Sequence, residues 1–270
     1  MIANNNNLDQ TLLILNTPTR KRWSVHSVLQ RDWRLLRVIM VILVLMQFET
    51  GRYVLYPFTI FSTWIHETCH GTAAILAGGK IIWLNIYPDG SGLAYCSMPS
   101  GTGKRAFFHS AGYMGTALIG GILLLFRRTK RGPRLGIHAT GTIILLTSAL
   151  YVRNIFGLAV LIPMGLVLLL CGWKLPSTRM RDVYALLAAT CCLNAILSIH
   201  VLFSAGTVYV GGEARDSDAQ AVASVIGLSY WVWALIWLIF AFVMTCIGLF
   251  CALDGPDELE ENTMPCGNIV

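Results

Sequence analysis

The run Trp64-Ile-His-Glu-Thr-Cys-His-Gly-Thr-Ala-Ala-Ile-Leu-Ala-Gly-Gly79 puts two histidines and a glutamate inside an apolar segment of about residues 53–77. A segment of this length and composition is typical of a helix buried in a bilayer. His66 and His70 are spaced i, i+4, so one helical face carries both imidazoles about one turn apart. Two imidazole nitrogens in this arrangement suit a tetrahedral Zn²⁺ ion. The run therefore predicts a metal-binding helix at membrane depth.

Glu67 lies beside the two histidines and supplies the chemistry that a hydrolytic metal site requires. In a His-Glu-x-x-His helix the carboxylate does not ligate; it takes a proton from the zinc-bound water, whose pKa the metal lowers to ~7. The competing interpretation is a bundle-core helix that carries these residues by coincidence. An ionisable cluster in an apolar span costs several kcal/mol unless it is paired or functional. That cost favours the metal site.

A catalytic zinc site has three protein ligands and one open position, so a third ligand must lie elsewhere in the chain. The sequence offers Asp89 in Pro-Asp-Gly, Asp218 at the start of a small apolar helix, and Asp254 after the last apolar segment. Turn chemistry accounts for Asp89, and a solvated helix end accounts for Asp254. We favour Asp218, whose alternative role is a first-turn acid stabilised by the helix dipole.

The composition is that of a membrane protein. Of the 270 residues, 55% are hydrophobic and only 13% are charged, and the mean hydropathy is +0.63, whereas soluble domains carry about 25% charged residues. Apolar stretches occupy about residues 35–48, 53–77, 105–126, 135–152, 154–172, 183–205 and 229–252. The predicted fold class is an all-α polytopic membrane protein with six to seven transmembrane helices. The net charge of +6 comes from basic residues at segment ends, which indicates contact with the lipid bilayer and not with nucleic acid.

A small β-hairpin is expected next to the metal-binding helix. Between residues 80 and 98 the sequence changes to β-branched and aromatic residues around Pro88-Asp-Gly-Ser-Gly92. Turn residues between two such runs are typical of a hairpin. Further along the chain, Asp216-Ser-Asp-Ala-Gln220 is typical of a helix N-terminus, with Asp216 or Ser217 as the cap.

The residues from Trp64 to Gly92, with Ser110-Ala-Gly-Tyr-Met-Gly-Thr-Ala-Leu118, resemble the site-2 protease-like intramembrane zinc metallopeptidases, especially their compact B-like branch. The resemblance spans about residues 57–240, and Asp216-Ser-Asp-Ala-Gln220 is similar to the downstream acidic motif of that branch. It implies a zinc-dependent protease fold. In that fold His66 and His70 bind Zn²⁺, Glu67 is the general base, and a downstream aspartate completes the site.

The third ligand is where the chain departs from the better-known members of that family. In those members the aspartate belongs to a Leu-Asp-Gly or Asn-Pro-Asp-Gly motif within a later transmembrane helix. Here Leu253-Asp-Gly255 lies very near the end of the sequence, whereas the pattern of the B-like branch points to Asp218.

The expected organisation has three parts. Residues 1–34 form a polar and basic N-terminal arm, residues 35–253 a membrane-embedded metallopeptidase domain, and residues 254–270 an acidic tail. Basic loops at residues 127–134 and 174–181 indicate that these loops and the N-terminus are cytoplasmic. The crossings do not then alternate fully, so one of the first two segments or the hairpin is expected to be re-entrant. No cleaved signal peptide is expected.

The expected function is hydrolysis of a peptide bond in a membrane-anchored protein by a Glu67-activated zinc water. Asn194 and Asn154 are candidate oxyanion or substrate contacts, although an interhelical hydrogen bond is the stronger interpretation of each. His109, one turn from Gly112, is a candidate for lining the site, but a lone membrane histidine is usually structural.

The same structural interpretation applies to His138 and His200. The alternative function is a non-catalytic membrane scaffold or zinc-binding protein that retains the site. Glu67 favours catalysis, because binding alone needs no general base. A small transporter is disfavoured by the hairpin and by the lack of repeated halves.

Overall fold

The structure, a computed structural model, describes residues 33–204 and 207–251, apart from the side chains of residue 34 and residues 198–204. Its helices are α1 Trp33–Leu45, α2 Glu49–Leu76, α3 Thr102–Phe126, α4 Gly132–Tyr151, α5 Ile155–Lys174, α6 Ser177–Ser204, α7 Asp218–Ile226 and α8 Tyr230–Phe250. Its strands are β1 Lys80–Ile86, β2 Gly92–Ser97, β3 Thr207–Val210 and β4 Glu213–Asp216. The part of the chain described is mainly helical, as predicted. Residues 1–32 of the N-terminal arm and the acidic tail with Asp254 lie outside it.

Among the residues that the structure describes, four helices are long and apolar enough to cross a membrane: α3, α5, the Ser177–Leu197 part of α6, and α8. The prediction of six to seven transmembrane helices exceeds what the described residues show. α1 has 13 residues, too few for the ~20 that a crossing needs. α2 has 28 residues, but the His-Glu-Thr-Cys-His run lowers its hydropathy. In α4, Arg134 and His138 interrupt the apolar sequence.

The outer faces of the bundle carry large exposed apolar side chains. On α4, α5 and α8 they include Leu146, Leu150, Leu166, Val167, Ile239 and Phe242. A soluble monomer rarely exposes contiguous apolar surface on this scale, whereas lipid chains cover such faces at no cost.

α3 lies at the centre of the bundle and packs against α2, α6, α7 and α8. A Cβ atom on Gly121 would lie 2.9 Å from the carbonyl oxygen of Met244 in α8, so only glycine permits this approach of the two backbones. At the end of α3, the Arg127 guanidinium donates to the carbonyl oxygens of Leu124 at 2.6 Å and Gly248 at 2.7 Å. α3 is thereby held against α8 in the middle and at its C-terminal end.

The predicted hairpin is present as β1 and β2, which pair antiparallel with Lys80 opposite Ser97 and Ile86 opposite Gly92. The outer edge of β1 is covered by the connection between α4 and α5. There, the Arg153 N–H donates to the Leu84 carbonyl at 3.3 Å, and the Asn154 amide donates to the carbonyl of Ile86 and accepts from its N–H.

A second hairpin, which the sequence analysis did not predict, is formed by β3 and β4. Val210 pairs with Glu213 across a two-residue turn. Gly211 and Gly212 form that turn with φ values of +58° and +87°, as expected for a type I′ turn, in which both central residues have positive φ. The N–H of Gly211 donates to the Ser91 hydroxyl at 3.1 Å, so the two hairpins touch at their turns.

Candidate metal centre

α2 brings His66 and His70 together as their i, i+4 spacing predicts. The two Nε2 atoms are 3.0 Å apart, and the ring centroids are 4.7 Å apart in an edge-to-face arrangement. Both nitrogens therefore point at one location beside the helix.

Asp218 joins the two histidines from the first turn of α7. Its Oδ2 atom lies 3.1 Å from Nε2 of His66 and 3.1 Å from Nε2 of His70. Ser217 is the N-cap, with its hydroxyl accepting from the Gln220 N–H at 3.2 Å, which agrees with one of the two predicted caps. This cap fixes the start of α7 and with it the position of the carboxylate.

The surroundings of Asp218 favour its ionised form. Burial by itself raises the pKa of its carboxyl, but the charge that His70 carries when protonated, together with hydrogen bonds from the neighbouring histidines, outweighs burial and holds the pKa well below the usual range. The N-terminus of α7 adds a favourable dipole. The aspartate therefore offers a charged oxygen ligand.

The donor set fits a zinc ion. Nδ1 of His70 is 2.7 Å from the Phe108 carbonyl oxygen, and since a carbonyl only accepts, we assign the ring proton to Nδ1. The neutral imidazole then presents a bare lone pair on Nε2, as in ligating histidines whose other nitrogen is hydrogen-bonded. His66, His70 and Asp218 each offer one ligand atom, two ring nitrogens and one carboxylate oxygen, and these atoms lie within 4.8 Å of one another. Their separations of 3.0 to 3.1 Å are close to the edge of about 3.3 Å of a tetrahedron with ~2.0–2.1 Å bonds.

Glu67 lies next to this cluster and is only 7% exposed. The backbone of β2 at Ala94 lies beside its carboxylate. β2 passes so close that a Cβ atom on Gly92 would lie 2.7 Å from Cγ and 2.9 Å from Oε1 of Glu67. The carboxylate is outside the three-ligand set, yet it is held beside it.

α3 forms the opposite wall of the site and contributes a histidine. Nδ1 of His109 lies 3.4 Å from Oδ1 of Asp218, the carboxylate oxygen that faces away from His66 and His70. A hydrogen bond of this kind orients a ligating carboxylate. One turn along, Gly112 has no side chain, and this leaves space for both imidazoles.

The cluster lies at the base of a cavity of about 580 Å³. Both hairpins line it, the first through Ser91–Ala94 and the second through Val208–Val210, together with α2, α3 and α7. A cavity of this size is within the usual range of ligand-binding pockets.

The other predicted site residues lie elsewhere. Asn154 is bound to the backbone of Ile86, and the Asn194 amide donates to the Phe58 carbonyl at 3.5 Å. Neither asparagine lines the cavity, so their predicted oxyanion role is not carried further. Asp89 accepts from the N–H of Ser91 at 2.9 Å and from its hydroxyl at 2.6 Å, the turn role named as its alternative.

Two further predictions concern histidines. His138 lies on α4, where its ring is close to Gly172 of α5. The His200 side chain and Asp254 lie outside the described residues.

Sequence reasoning gave too little weight to His109 and did not predict the second hairpin. His109 does carry a usable signal, because it is spaced i, i+4 from Tyr113 and i, i+3 from Gly112 and therefore shares their helical face. The second hairpin also has a sequence signal, Val-Tyr-Val-Gly-Gly-Glu from Val208 to Glu213. Gly-Gly between short strand-like runs favours a two-residue turn.

A comparison with protein-family models gives a match to the family described as Peptidase M50B-like over residues 35–248. No curated protein and no solved structure matches the chain significantly. The matched range contains α2, both hairpins and α7, and so includes the whole cluster.

Proposed function

Since the chain belongs to the Peptidase M50B-like family of intramembrane zinc metalloproteases, we propose that it hydrolyses a peptide bond in membrane-anchored protein substrates. The observation that carries the proposal is the convergence of His66, His70 and Asp218 on one point. Buried Glu67 stands beside that point, at the base of a cavity large enough for a peptide. A non-catalytic scaffold is not favoured, because binding alone gives no reason to bury a fourth ionisable group there.

In the proposed site, His66, His70 and Asp218 hold the zinc ion. When bound, zinc supplies a Lewis acid for the substrate carbonyl and lowers the pKa of a water molecule. The Glu67 carboxylate accepts the proton of the attacking water and returns it to the leaving amine, as a general base and then a general acid. The close packing of β2 at Gly92 restricts the movement of that carboxylate.

We propose that the substrate binds in an extended form along β2. A helix in lipid hides its amides in i to i−4 bonds, so it must unwind before a carbonyl is accessible. In an antiparallel pair of strands, residues that hydrogen-bond across the ladder alternate with residues whose N–H and C=O groups point away from the partner strand. Leu84 and Ile86 of β1 direct their backbone groups away from β2. Their partners Ala94 and Gly92 therefore direct theirs away from β1, towards the cavity.

The edge of β2 offers the backbone N–H and C=O groups of Gly92 and Ala94 for such a strand. A peptide added at this edge gains main-chain hydrogen bonds and passes directly beside Glu67.

The membrane arrangement of the proposed protease extends beyond the four apolar helices. α2 and α4 pack among those helices, and together with α1 they bring the number of segments in the bilayer to the expected six to seven. The division into an arm at 1–34, a metallopeptidase domain at 35–253 and a tail at 254–270 belongs to the same proposal. The basic loops argue for a cytoplasmic N-terminus.

The test is zinc quantification and cleavage of a model transmembrane substrate by detergent-purified protein. Glu67→Gln is expected to retain zinc and lose cleavage, because the ligands are intact and the base is gone. Asp218→Ala is expected to lose both. Asp182→Ala, at an exposed position on α6, is the matched control and should behave as wild type. Cleavage by Glu67→Gln at the wild-type rate contradicts the proposal.

A further inference from the structure

α3 presents a continuous row of functional groups to the cavity. Arg105, His109, Gly112 and Tyr113 all face it, and their spacing of i, i+4, i+7 and i+8 corresponds to one helical face. Gly112 leaves space for the imidazoles and His109 contacts Asp218. Neither the metal cluster nor the general base accounts for Tyr113.

The ring of Tyr113 is fixed on two sides. It meets His66 edge to face at a centroid distance of 4.7 Å and an interplanar angle of 85°. It also stacks on Trp237 of α8 at 5.3 Å and 13°. Aromatic pairs in these geometries are favourable. The direction of the phenol group is therefore set before any substrate binds.

The Tyr113 side chain is partly buried at the wall of the cavity. None of the residues that the structure describes makes a hydrogen bond to its hydroxyl, so this donor is available to a ligand in the cavity. Glu67 and Asp218 line the same cavity as Tyr113. A fixed O–H donor without a described protein partner thus shares the cavity with the ligands and the base.

We propose that Tyr113 donates a hydrogen bond to the carbonyl oxygen of the scissile peptide as negative charge develops there. This inference rests on the proposed function and adds the electrostatic stabilisation that acyl-group hydrolysis requires. Asn154 and Asn194, the polar candidates from the sequence, have their amides on Ile86 and Phe58. Tyr113 combines an open donor with a position in the cavity.

The experiment compares Tyr113→Phe with wild type and with Tyr184→Phe, a buried tyrosine beside Gly136. Phenylalanine keeps both ring contacts and removes only the donor. We expect kcat to fall by about 10²–10³-fold, the usual effect of losing one such donor, with KM and zinc content unchanged. Tyr184→Phe should retain the kcat of wild type.

Two binding measurements separate this role from a structural one. A phosphinic peptide, which mimics the tetrahedral transition state, should bind Tyr113→Phe weaker by the factor lost in kcat. The uncleaved substrate should bind equally to Glu67→Gln and to Glu67→Gln/Tyr113→Phe, because the donor acts on charge that the ground state lacks.

The outcomes also distinguish this inference from the function on which it rests. Suppose that wild type cleaves the substrate. The role of Tyr113 is then refuted if Tyr113→Phe retains the kcat of wild type, or if it loses zinc or substrate binding instead of kcat, and the proposed function stands in either case. If wild type with a full zinc complement cleaves no membrane substrate, the proposed function fails, and this inference fails with it.

Discussion

Replacing Gly112 with alanine would put a methyl group where the two metal-binding imidazoles lie. The added Cβ would be closer than 3.0 Å to Nε2 of both His66 and His70, a distance that real Cβ atoms do not adopt. The distance from the added Cβ to the ring nitrogens must lengthen to the 3.4 Å of ordinary van der Waals contact. This requires the rings or α3 to move by at least 0.4 Å. Neither moves easily, because Phe108 holds the His70 ring and α8 holds α3.

The size of the expected effect follows from the tolerance of zinc sites. Ligand distances vary by about ±0.2 Å in functional sites, so the required movement is at least twice what the site accepts. Losing a partner that only orients a ligand costs about 10–100-fold in metal affinity. Displacing two ligands should cost about 100-fold or more, which corresponds to about 2.8 kcal/mol.

The assay is a competition titration of zinc against a chelator of known affinity, in detergent. The matched control is Gly103→Ala in the first turn of α3, where no atom described by the structure lies within 4 Å of the added Cβ. That control should bind zinc as wild type does and gain a little helix stability. Equal helix content by circular dichroism in both variants would locate the change at the metal site. Wild-type zinc affinity in Gly112→Ala would refute the assigned geometry.

Three other substitutions test separate parts of the site. His109→Ala should weaken zinc binding by about 10–100-fold, because Asp218 loses the group that orients it; unchanged affinity in the same titration would argue against this role. Gly92→Ala should crowd Glu67 and lower kcat with zinc content intact, and an equal loss of zinc would show instead that the hairpin supports the ligands. Asn154→Ala should lower the free energy of unfolding by about 1–3 kcal/mol through unsatisfied backbone groups on β1, measured by thermal denaturation, and a variant as stable as wild type would contradict the pairing.

The local parts of this site were predictable because they depend on periodicity alone. The spacing of His66 and His70 puts both rings on one side of any helix. The Ser217 cap follows from the side-chain chemistry of Asp216-Ser-Asp-Ala-Gln220, and the first hairpin follows from its turn residues. Each of these features is decided within about five residues.

The contacts between distant segments were harder to predict. Asp218 was favoured over Asp89 and Asp254, but its approach to helix α2 depends on how α3, α6 and α7 pack, and no local pattern reports that packing. Asn154 shows the limit clearly. Its polarity in an apolar region predicts a partner, yet sequence alone does not distinguish the backbone of β1 from a substrate.

The hydrogen bonds between Asn154 and β1 affect where an unwound peptide could bind. If the outer edge of β1 were open, an unwound peptide could pair with either edge of the hairpin. Only the edge of β2 lies next to the carboxylate of Glu67. A peptide bound at the outer edge of β1 would not be cleaved and would compete with binding at the edge of β2. Asn154 occupies the outer edge of β1, so under the proposed function a substrate peptide is directed to the edge of β2, next to Glu67.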